Sequence, residues 1–278
     1  MLGYGYYSGE FSALDEVRIP LTDRSYFFGD AVYEVCIGGN GKIYQLREHT
    51  ERLKSSLSAV KIALPEDFGK LSEIALELIR KLDFSTYILY VQIGREAETR
   101  QHCPAPLCGS KMLVAVFPSE KPKREDVTLI TESDRRYCYC NVKTVNLLPA
   151  VLSSARAEEH GADETLYIRD GYVTECSHSN IMILKDGVLI APPPSPSVLP
   201  GITRATVLRI AASLGIPVKE EFFTEGELLD ADEVFISSTT KLLRRVKTID
   251  GRETSKKCGD IYGEITDALI KELNDACF

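Results

Sequence analysis

The stretch NVKTVNLL, Asn141–Leu148, decides how the rest of the chain is interpreted. Apolar residues alternate before it and an amphipathic run follows it, so Lys143 is predicted where a strand ends and a helix begins. A lysine that is partly desolvated at such a junction has a lowered pKa and can act as an amine nucleophile towards an aldehyde cofactor. A solvated loop lysine is the ordinary alternative, so the other residues of the sequence must decide between the two.

Length and charge restrict the class of protein. The chain has 278 residues, of which 44% are hydrophobic and 27% charged, which is typical of a globular protein with room for two domains. Its formal net charge of -8 disfavours nucleic acids and anionic membranes as partners, because both attract basic surfaces. An anionic small molecule would therefore need local positive groups.

The cysteines and the N-terminus indicate neither a metal site nor an export signal. Eight cysteines are scattered without C-x-x-C spacing, so we expect no metal and reduced thiols. Residues 1–7, MLGYGYY, lack the basic and apolar regions of a signal peptide, and no apolar run approaches the length of a membrane span. We therefore expect a cytoplasmic protein.

Two domains that mix helices with antiparallel hairpins are predicted, which indicates an α+β fold. The hairpin over residues 31–46 turns at Asn40-Gly41, a pair that readily adopts the positive φ angles of a tight turn. The charged, proline-containing segment 118–126 is predicted to be the linker, so the domains are residues 1–121 and 122–278. Residues 94–110 are predicted to form a long loop, and a loop of that length inside a compact domain is usually functional or disordered. This loop contains Arg95, Arg100, His102, Pro104 and Pro106.

Further elements follow from local patterns. In the first domain, Leu53, Leu57 and Val60 at helical spacing predict one helix, and a second helix is predicted from about Pro65 to about Lys81. In the second, Asp-Gly pairs mark hairpin turns at residues 170–171, 186–187 and 250–251. The other predicted elements of the second domain are strands at Val127–Thr131, Arg136–Lys143 and 233–240, and helices near 148–161, 201–214 and 262–274.

An aldehyde cofactor such as pyridoxal 5'-phosphate makes three demands on a protein. It needs a lysine amine, a carboxylate that holds the proton of the pyridine nitrogen, and a phosphate cradle of amides, hydroxyls and a cation. Lys143 meets the first demand, and Glu175, a carboxylate within an apolar hairpin, meets the second. The helix start Gly201–Thr203, Arg52 and the strand end Ser238–Thr240 are candidates for the cradle. Each has an ordinary alternative: a surface glutamate, a helix cap, a solvated arginine or a β-favouring strand end.

Seven short segments occur in a recognisable order along nearly the whole chain. They are Asp23-Arg24, Gly29–Glu34, Glu48–Leu53, Lys143–Leu148, Glu175–Asn180, Leu199–Arg204 and Ser238–Thr240. This arrangement resembles the class IV pyridoxal-phosphate aminotransferases, which have fold type IV. The resemblance implies an α+β fold with a smaller N-terminal α/β domain, a larger, β-rich C-terminal α/β domain and the cofactor between them.

The resemblance also implies roles for individual residues. Lys143 would be the catalytic residue and hold the cofactor as a Schiff base, with Glu175 on the pyridine nitrogen. Once the substrate amine displaces it, the Lys143 amine would move the proton of the substrate Cα. The other cofactor-binding residues implied are Arg52, Ile202, Thr203, Ser238 and Thr239, chiefly at the phosphate.

Within that family, Arg100-Gln101-His102 together with Tyr33 resembles the carboxylate trap of D-amino-acid aminotransferases. The resemblance implies a homodimer in which Arg100 and His102 reach the substrate of the partner subunit. A guanidinium, an imidazole and a phenol can together bind a carboxylate through charge-assisted hydrogen bonds. The implied reaction exchanges the amino group between D-alanine or D-glutamate and the 2-oxo acids pyruvate and 2-oxoglutarate.

Three other activities fit the sequence less closely. A branched-chain L-amino-acid aminotransferase and a lyase resembling aminodeoxychorismate lyase have the same scaffold, and a non-enzymatic binding protein is the third alternative. Four residues depart from the commonest family pattern, and we expect them to affect substrate range rather than cofactor chemistry. They are Pro149, Cys176, His178 and Lys241.

Overall fold

The chain folds into two compact units, and the computed structural model describes residues 3–105, 108–255 and 260–278. The first unit comprises Met1–Lys121, Val142–Asn146 and Leu273–Phe278, and the second comprises Pro122–Asn141 and Leu147–Glu272. The segment that contains Lys143 therefore belongs to the first unit, although the chain on either side of it belongs to the second. Pro106 of the long loop and Cys258, one of the eight cysteines, lie outside the described residues.

A six-stranded sheet forms the first unit. Its strands are β1 (Tyr4–Tyr7), β2 (Glu10–Ala13), β3 (Ala31–Gly39), β4 (Lys42–Ile43), β5 (Thr86–Arg95) and β6 (Ser110–Pro118), in the spatial order β2-β1-β6-β5-β3-β4. Every neighbouring pair is antiparallel. The pairing of β3 with β5 runs from Ala31 opposite Gly94 to Gly39 opposite Thr86, so β3 is held along its whole length.

The α-helices that lie wholly within the described residues of the first unit are α1 (Arg24–Phe28), α2 (Leu46–Ala59) and α3 (Leu71–Arg80). Leu53 and Leu57, which the sequence placed on one face of a helix, are both 1% exposed and pack in the same hydrophobic cluster as Val32 and Leu89 of the sheet. The helical spacing therefore identified the core-facing side of α2 correctly.

The helix predicted to start at Pro65 is wrong in its first turn. Residues 66–70 form a short 3-10 helix, and the α-helix begins only at Leu71. Gly69 lies in this turn and has a low helix propensity. The buried apolar residues that hold α3 against the core also begin at Leu71, so packing supports an α-helix only from that residue.

The second unit contains a nine-stranded mixed sheet. Its strands are β7 (Val127–Ser133), β8 (Glu164–Arg169), β9 (Tyr172–Cys176), β10 (Asn180–Lys185), β11 (Val188–Ala191), β12 (Val218–Glu220), β13 (Glu233–Ser238), β14 (Leu242–Ile249) and β15 (Arg252–Glu253). The spatial order is β12-β11-β10-β13-β14-β7-β8-β9, with β15 beside β14. The pairs β11–β12, β14–β7 and β7–β8 are parallel and the others antiparallel. With helices in both units, the predicted α+β class is confirmed.

The predicted Asp-Gly turns are confirmed by their backbone angles. Both residues of all three pairs have positive φ, from 48° to 81°, as do Asn40 and Gly41 in the first unit. The turns connect β8 to β9, β10 to β11 and β14 to β15. Asp, Asn and Gly are the residues that tolerate this conformation at least cost, so the turn positions could be located from sequence alone.

The helices of the second unit are α4 (Leu148–Glu159), α5 (Ile202–Ser213), α6 (Glu225–Leu229) and α7 (Ile261–Cys277), the last of which ends within the first unit. Gly161, with φ of 69°, follows the end of α4 as predicted. In the described ranges, no helix combines the length and the apolar character that crossing a bilayer requires.

The strand predicted over Arg136–Lys143 does not form. Residues 134–142 contain only turns, bends and irregular backbone. Tyr137 and Tyr139 are 62% and 69% exposed, so the alternating aromatic residues do not mark a buried strand face. The Asp134 carboxylate accepts a hydrogen bond from the Arg136 amide at 3.0 Å, a local bond that favours a turn over strand pairing.

Candidate active site

Lys143 is fixed against β3 by its own backbone. Its carbonyl accepts a hydrogen bond from the Tyr33 amide at 2.9 Å, and the Val145 amide donates to Ala31 at 3.2 Å. Lys143 is half-buried, and its Nζ lies 3.3 Å from the Tyr33 hydroxyl and 4.3 Å from the centre of that ring. The sequence predicted Lys143 between a strand and a helix, whereas the structure places it in irregular backbone ahead of α4, directly before Thr144, which forms an isolated bridge with Val32 of β3.

A buried ion cluster lies next along β3. Both oxygens of Glu34 accept from Arg52, at 2.6 Å from Nε and 2.8 Å from the second terminal nitrogen, and His49 Nδ1 lies 2.7 Å from the same carboxylate. Burial disfavours the Glu34 charge, but the bonds from Arg52 and His49 lower its pKa to about 2. Burial also lowers the pKa of His49, against the opposing effect of the Glu34 carboxylate. Arg52 is therefore a rigid, mostly buried cation rather than a solvated side chain.

The side chains of Arg100 and His102 both pack against helix α1. The Arg100 guanidinium lies 5.6 Å from the ring centre of Phe27 and 5.1 Å from that of Phe28, and the His102 ring lies 5.4 Å from Phe28. Both side chains belong to exposed residues of the loop. In the first unit, the predicted substrate residues thus form two groups. Arg100 and His102 lie against α1, and Tyr33 lies beside Lys143.

Glu175, the last residue but one of β9, is a buried carboxylate with hydrogen bonds to both of its oxygens. One oxygen accepts from Arg136 at 2.5 Å, and the other accepts from the Asn180 amide nitrogen and from the Leu199 backbone amide, both at 3.0 Å. Burial raises the pKa of Glu175, and the Arg136 cation opposes that rise. This environment excludes the alternative of a solvated surface glutamate, because only 5% of Glu175 is exposed.

The charged residues that surround Glu175 were not predicted from the sequence. The Asp134 carboxylate is fully buried and binds Arg136 at 2.9 Å and Arg169 at 3.1 Å. Burial opposes the charge of Asp134, but the bonds from Arg136 lower its pKa. Together these residues form a buried chain of alternating charge that leads to Glu175. A signal was present, since Asp134 and Arg136 follow directly after a strand, but the mistaken strand assignment concealed it.

Helix α5 starts without a side-chain cap, close to the Glu175 carboxylate. The first amides of a helix have no partner within it, so those of Ile202 and Thr203 can donate to a phosphate. A Cβ on Gly201 would lie 1.8 Å from Asn180 Oδ1, so this position requires glycine. Asn180 donates both to Glu175 and, at 3.1 Å, to the Leu199 carbonyl. One amide side chain thereby fixes the carboxylate relative to the helix start.

The other predicted hydroxyl residues lie at the end of β13, with Ser238 as its last residue and Thr239 directly after it. Ser238 and Thr239 are half-buried, and the Ser238 hydroxyl accepts from the Lys241 amide at 3.3 Å. The unusual residues Lys241 and His178 both contact Glu164, which is fully buried, with Lys241 Nζ at 2.6 Å and His178 Nε2 at 3.4 Å. These two departures from the family pattern are therefore coupled through one carboxylate.

The charges of the candidate site bear on the kind of group that it could hold. In the described part of the chain, no group of three or more His, Cys, Asp or Glu side chains could hold a metal ion. The buried carboxylates are instead matched by arginine and lysine, and the uncapped start of α5 offers donors to an anion. This set of donors fits a small anionic cofactor better than a cation.

A family model described as amino-transferase class IV matches residues 31–249. The chain belongs to the class IV aminotransferases. This aminotransferase is 36% identical over 270 residues to the D-alanine aminotransferase of Listeria monocytogenes serotype 1/2a (strain 10403S), covering 95% of this chain and 93% of the relative. It is 32% identical to the D-alanine aminotransferase of Staphylococcus aureus (strain MSSA476), covering 96% and 97%. Class IV aminotransferases use pyridoxal 5'-phosphate, which is therefore the cofactor of this enzyme.

The solved structures that share this fold belong to proteins with several different activities. The branched-chain aminotransferase of Thermoproteus uzoniensis with norvaline has a TM-score of 0.89 and 25% identity, covering 99% of this aminotransferase and 96% of that chain. The T.th. branched-chain amino acid aminotransferase complexed with N-(5'-phosphopyridoxyl)-L-glutamate has a TM-score of 0.89 and 26% identity, covering 98% and 95%. A putative 4-amino-4-deoxychorismate lyase of Legionella pneumophila, at 23% identity and a TM-score of 0.83 with 92% and 96% covered, shares the fold alone.

Proposed function

We propose that this aminotransferase exchanges the amino group between D-amino acids, D-alanine and D-glutamate among them, and the 2-oxo acids pyruvate and 2-oxoglutarate. The observation that carries the proposal is the likeness to enzymes named D-alanine aminotransferase, which extends over 95% of this chain at 36% identity. Arg100 and His102, which both contact Phe28 of α1, support the proposal. A guanidinium and an imidazole together can bind the carboxylate of an amino acid through charge-assisted hydrogen bonds.

We propose a cofactor-binding role for each of the following residues. Lys143 would bond to its aldehyde carbon, and Glu175 would accept a hydrogen bond from its pyridine nitrogen. The phosphate would be held by Arg52, Ile202, Thr203, Ser238 and Thr239. When bound, pyridoxal 5'-phosphate supplies the carbonyl that takes up the amino group and the ring that draws electrons from the substrate Cα.

The surroundings of each group suit its proposed task. Arg136 supports the ionised form of Glu175, and an ionised carboxylate can hold the proton of a pyridinium. Glu34 fixes the Arg52 guanidinium with two bonds, so little entropy would be lost when a phosphate binds it. Tyr33 lies within hydrogen-bond distance of Lys143 Nζ and orients that nitrogen, which would take the proton from the substrate Cα.

We further propose a cytoplasmic homodimer in which Arg100 and His102 serve the site of the partner subunit. Both residues are exposed beside helix α1, where Leu21 and Tyr26 are 73% and 78% exposed. Large apolar residues grouped on a surface often mark a protein contact. The described cysteines are all free thiols, which suits a reducing compartment.

A single-turnover experiment tests the proposed substrate class. The holoenzyme is mixed separately with D-alanine and with L-leucine, and the visible absorbance of the bound cofactor is followed. We expect D-alanine alone to bleach that absorbance at a rate fast enough for turnover. Bleaching by L-leucine alone would instead favour a branched-chain activity, which the solved branched-chain aminotransferases of the same fold make the second candidate.

A further inference from the structure

The side chain of Arg24 binds the loop that contains Arg100 and His102. Arg24 is 3% exposed and lies in the first turn of α1. Its Nε donates to Asp30 at 2.9 Å, and one terminal nitrogen donates to Glu98 at 2.9 Å and to the Gln101 carbonyl at 2.7 Å. The other terminal nitrogen donates to the His102 carbonyl at 2.9 Å. One guanidinium thus contacts a side chain and two consecutive carbonyls of the loop.

Glu98 connects this contact to the far end of the loop. One of its oxygens accepts from Arg24, and the other accepts from the Ala105 amide at 3.1 Å. Residues 96–105 contain neither helix nor strand, so side-chain bonds must supply the order that a backbone ladder would give elsewhere. The Glu98 side chain is only 16% exposed, which strengthens its bond to Arg24 relative to a surface pair.

Helix α1 also supports the two side chains of the loop. Phe28 is on the same helix as Arg24, four residues later, and the Arg24 guanidinium lies 4.7 Å from the centre of its ring. Arg100 and His102 contact the same ring. The Arg24 hydrogen bonds to the loop backbone and the Phe28 contacts with the loop side chains therefore come from one short helix. They cannot shift independently of each other.

Arg24 is connected to the sheet through Asp30 and Arg95. Asp30, which binds Arg24, also accepts from Arg95 Nε at 3.0 Å. Arg95 in turn donates to the carbonyls of Val60 and Lys61, at 2.6 and 2.8 Å. Arg24 therefore connects the loop to the end of β5, which is held in the sheet.

We propose that Arg24 and Glu98 are positioning residues that hold the 96–105 loop in the one arrangement in which Arg100 and His102 can bind the substrate carboxylate. The proposal rests on the proposed function for the role of Arg100 and His102. Arg24 itself is buried and donates four hydrogen bonds to protein groups, so its role is to fix the loop and not to touch the substrate. Loosening the loop would weaken substrate binding more than it would slow the chemical step.

The test compares Glu98→Ala with Glu96→Ala in the holoenzyme. Glu96 belongs to the same loop but pairs with Lys111 through side chains that are 45% and 40% exposed, so its removal makes the same charge change without touching Arg24. Amide hydrogen exchange of residues 96–105 is measured together with KM and kcat for D-alanine. We expect Glu98→Ala to exchange about tenfold faster and to raise KM about tenfold, with kcat within about twofold. Glu96→Ala should leave all three within about twofold of the parent enzyme.

Equal exchange in the two variants would overturn the proposal, and so would a KM that rises equally in both. Arg24→Lys, which keeps the charge but cannot reach several acceptors at once, provides a second variant, and circular dichroism confirms that it is folded. We expect it to reproduce the loop exchange of Glu98→Ala, and a parent-like exchange rate would overturn the role of Arg24. If Arg100→Ala leaves KM unchanged, the proposed substrate role fails, whereas the exchange rates still decide whether Arg24 and Glu98 hold the loop.

Discussion

Replacing Glu34 by glutamine should destabilise the first unit in a way that depends on pH. The change keeps the shape of the side chain but removes the charge that faces Arg52 and His49. The pKa of Glu34 falls from an ordinary 4.5 to about 2 in the folded protein. At about 1.4 kcal/mol for each pKa unit, this corresponds to roughly 3 kcal/mol of folding free energy.

The sign of the pH dependence follows from the lowered pKa. Folding favours the ionised carboxylate, so the stabilisation is complete above pH 4.5 and is lost as the pH falls towards 2. At pH 3 less than half of it should remain, about 1.4 kcal/mol. The difference in unfolding free energy between the parent enzyme and Glu34→Gln should therefore shrink over that range.

Urea unfolding followed by circular dichroism at pH 7 and pH 3 measures this difference. Glu51→Gln is the matched control, because Glu51 lies on the surface of α2 and its side chain is 63% exposed in its pair with Lys54. We expect the control to cost less than about 0.5 kcal/mol at either pH. A Glu34→Gln cost no larger than that of the control, or one that stays constant with pH, would refute the reasoning.

Three further predictions concern the proposed cofactor and substrate groups. Arg136→Met removes the cation that opposes the rise in the pKa of Glu175, so the acidic limb of the kcat–pH profile should move to higher pH, and an unmoved limb would count against the proposed role of Glu175. Gly201→Ala places a methyl group 1.8 Å from Asn180 Oδ1 and should weaken pyridoxal-phosphate binding to the apoenzyme by at least about tenfold; an unchanged dissociation constant would disprove the link between Asn180 and the helix start. Arg100→Ala should raise KM for D-alanine by roughly 10- to 100-fold with cofactor affinity unchanged, and an unchanged KM would remove Arg100 from the substrate site.

The sequence located turns and buried helix faces well because both depend on local chemistry. Asp170-Gly171 and its two counterparts have the φ angles that their residue types favour, and Leu53 and Leu57 are buried as their spacing predicts. The alternation of Tyr137 and Tyr139 led to the wrong prediction of a strand over Arg136–Lys143. Periodicity shows a pattern of side chains, but it does not show whether a neighbouring strand is available for pairing.

The partners of the site residues were harder to predict. Glu34 lies within a segment that matched the family, yet its bond to Arg52 joins residues 18 positions apart, and only the packing of α2 against β3 brings them together. Arg136 likewise reaches Glu175 across 39 positions, through contacts of the second unit that local sequence does not reveal. Residue types indicated which groups the chemistry requires, whereas the charges that adjust them depend on tertiary structure.

The attachment of the cofactor to Lys143 can be measured directly. The holoenzyme is treated with borohydride, which makes the carbon–nitrogen bond between cofactor and lysine permanent, and is then digested and analysed by mass spectrometry. We expect the phosphopyridoxyl group on the peptide that contains Lys143, and on no other lysine. A label on a different lysine, or a protein that takes up pyridoxal phosphate without any covalent label, would contradict the account.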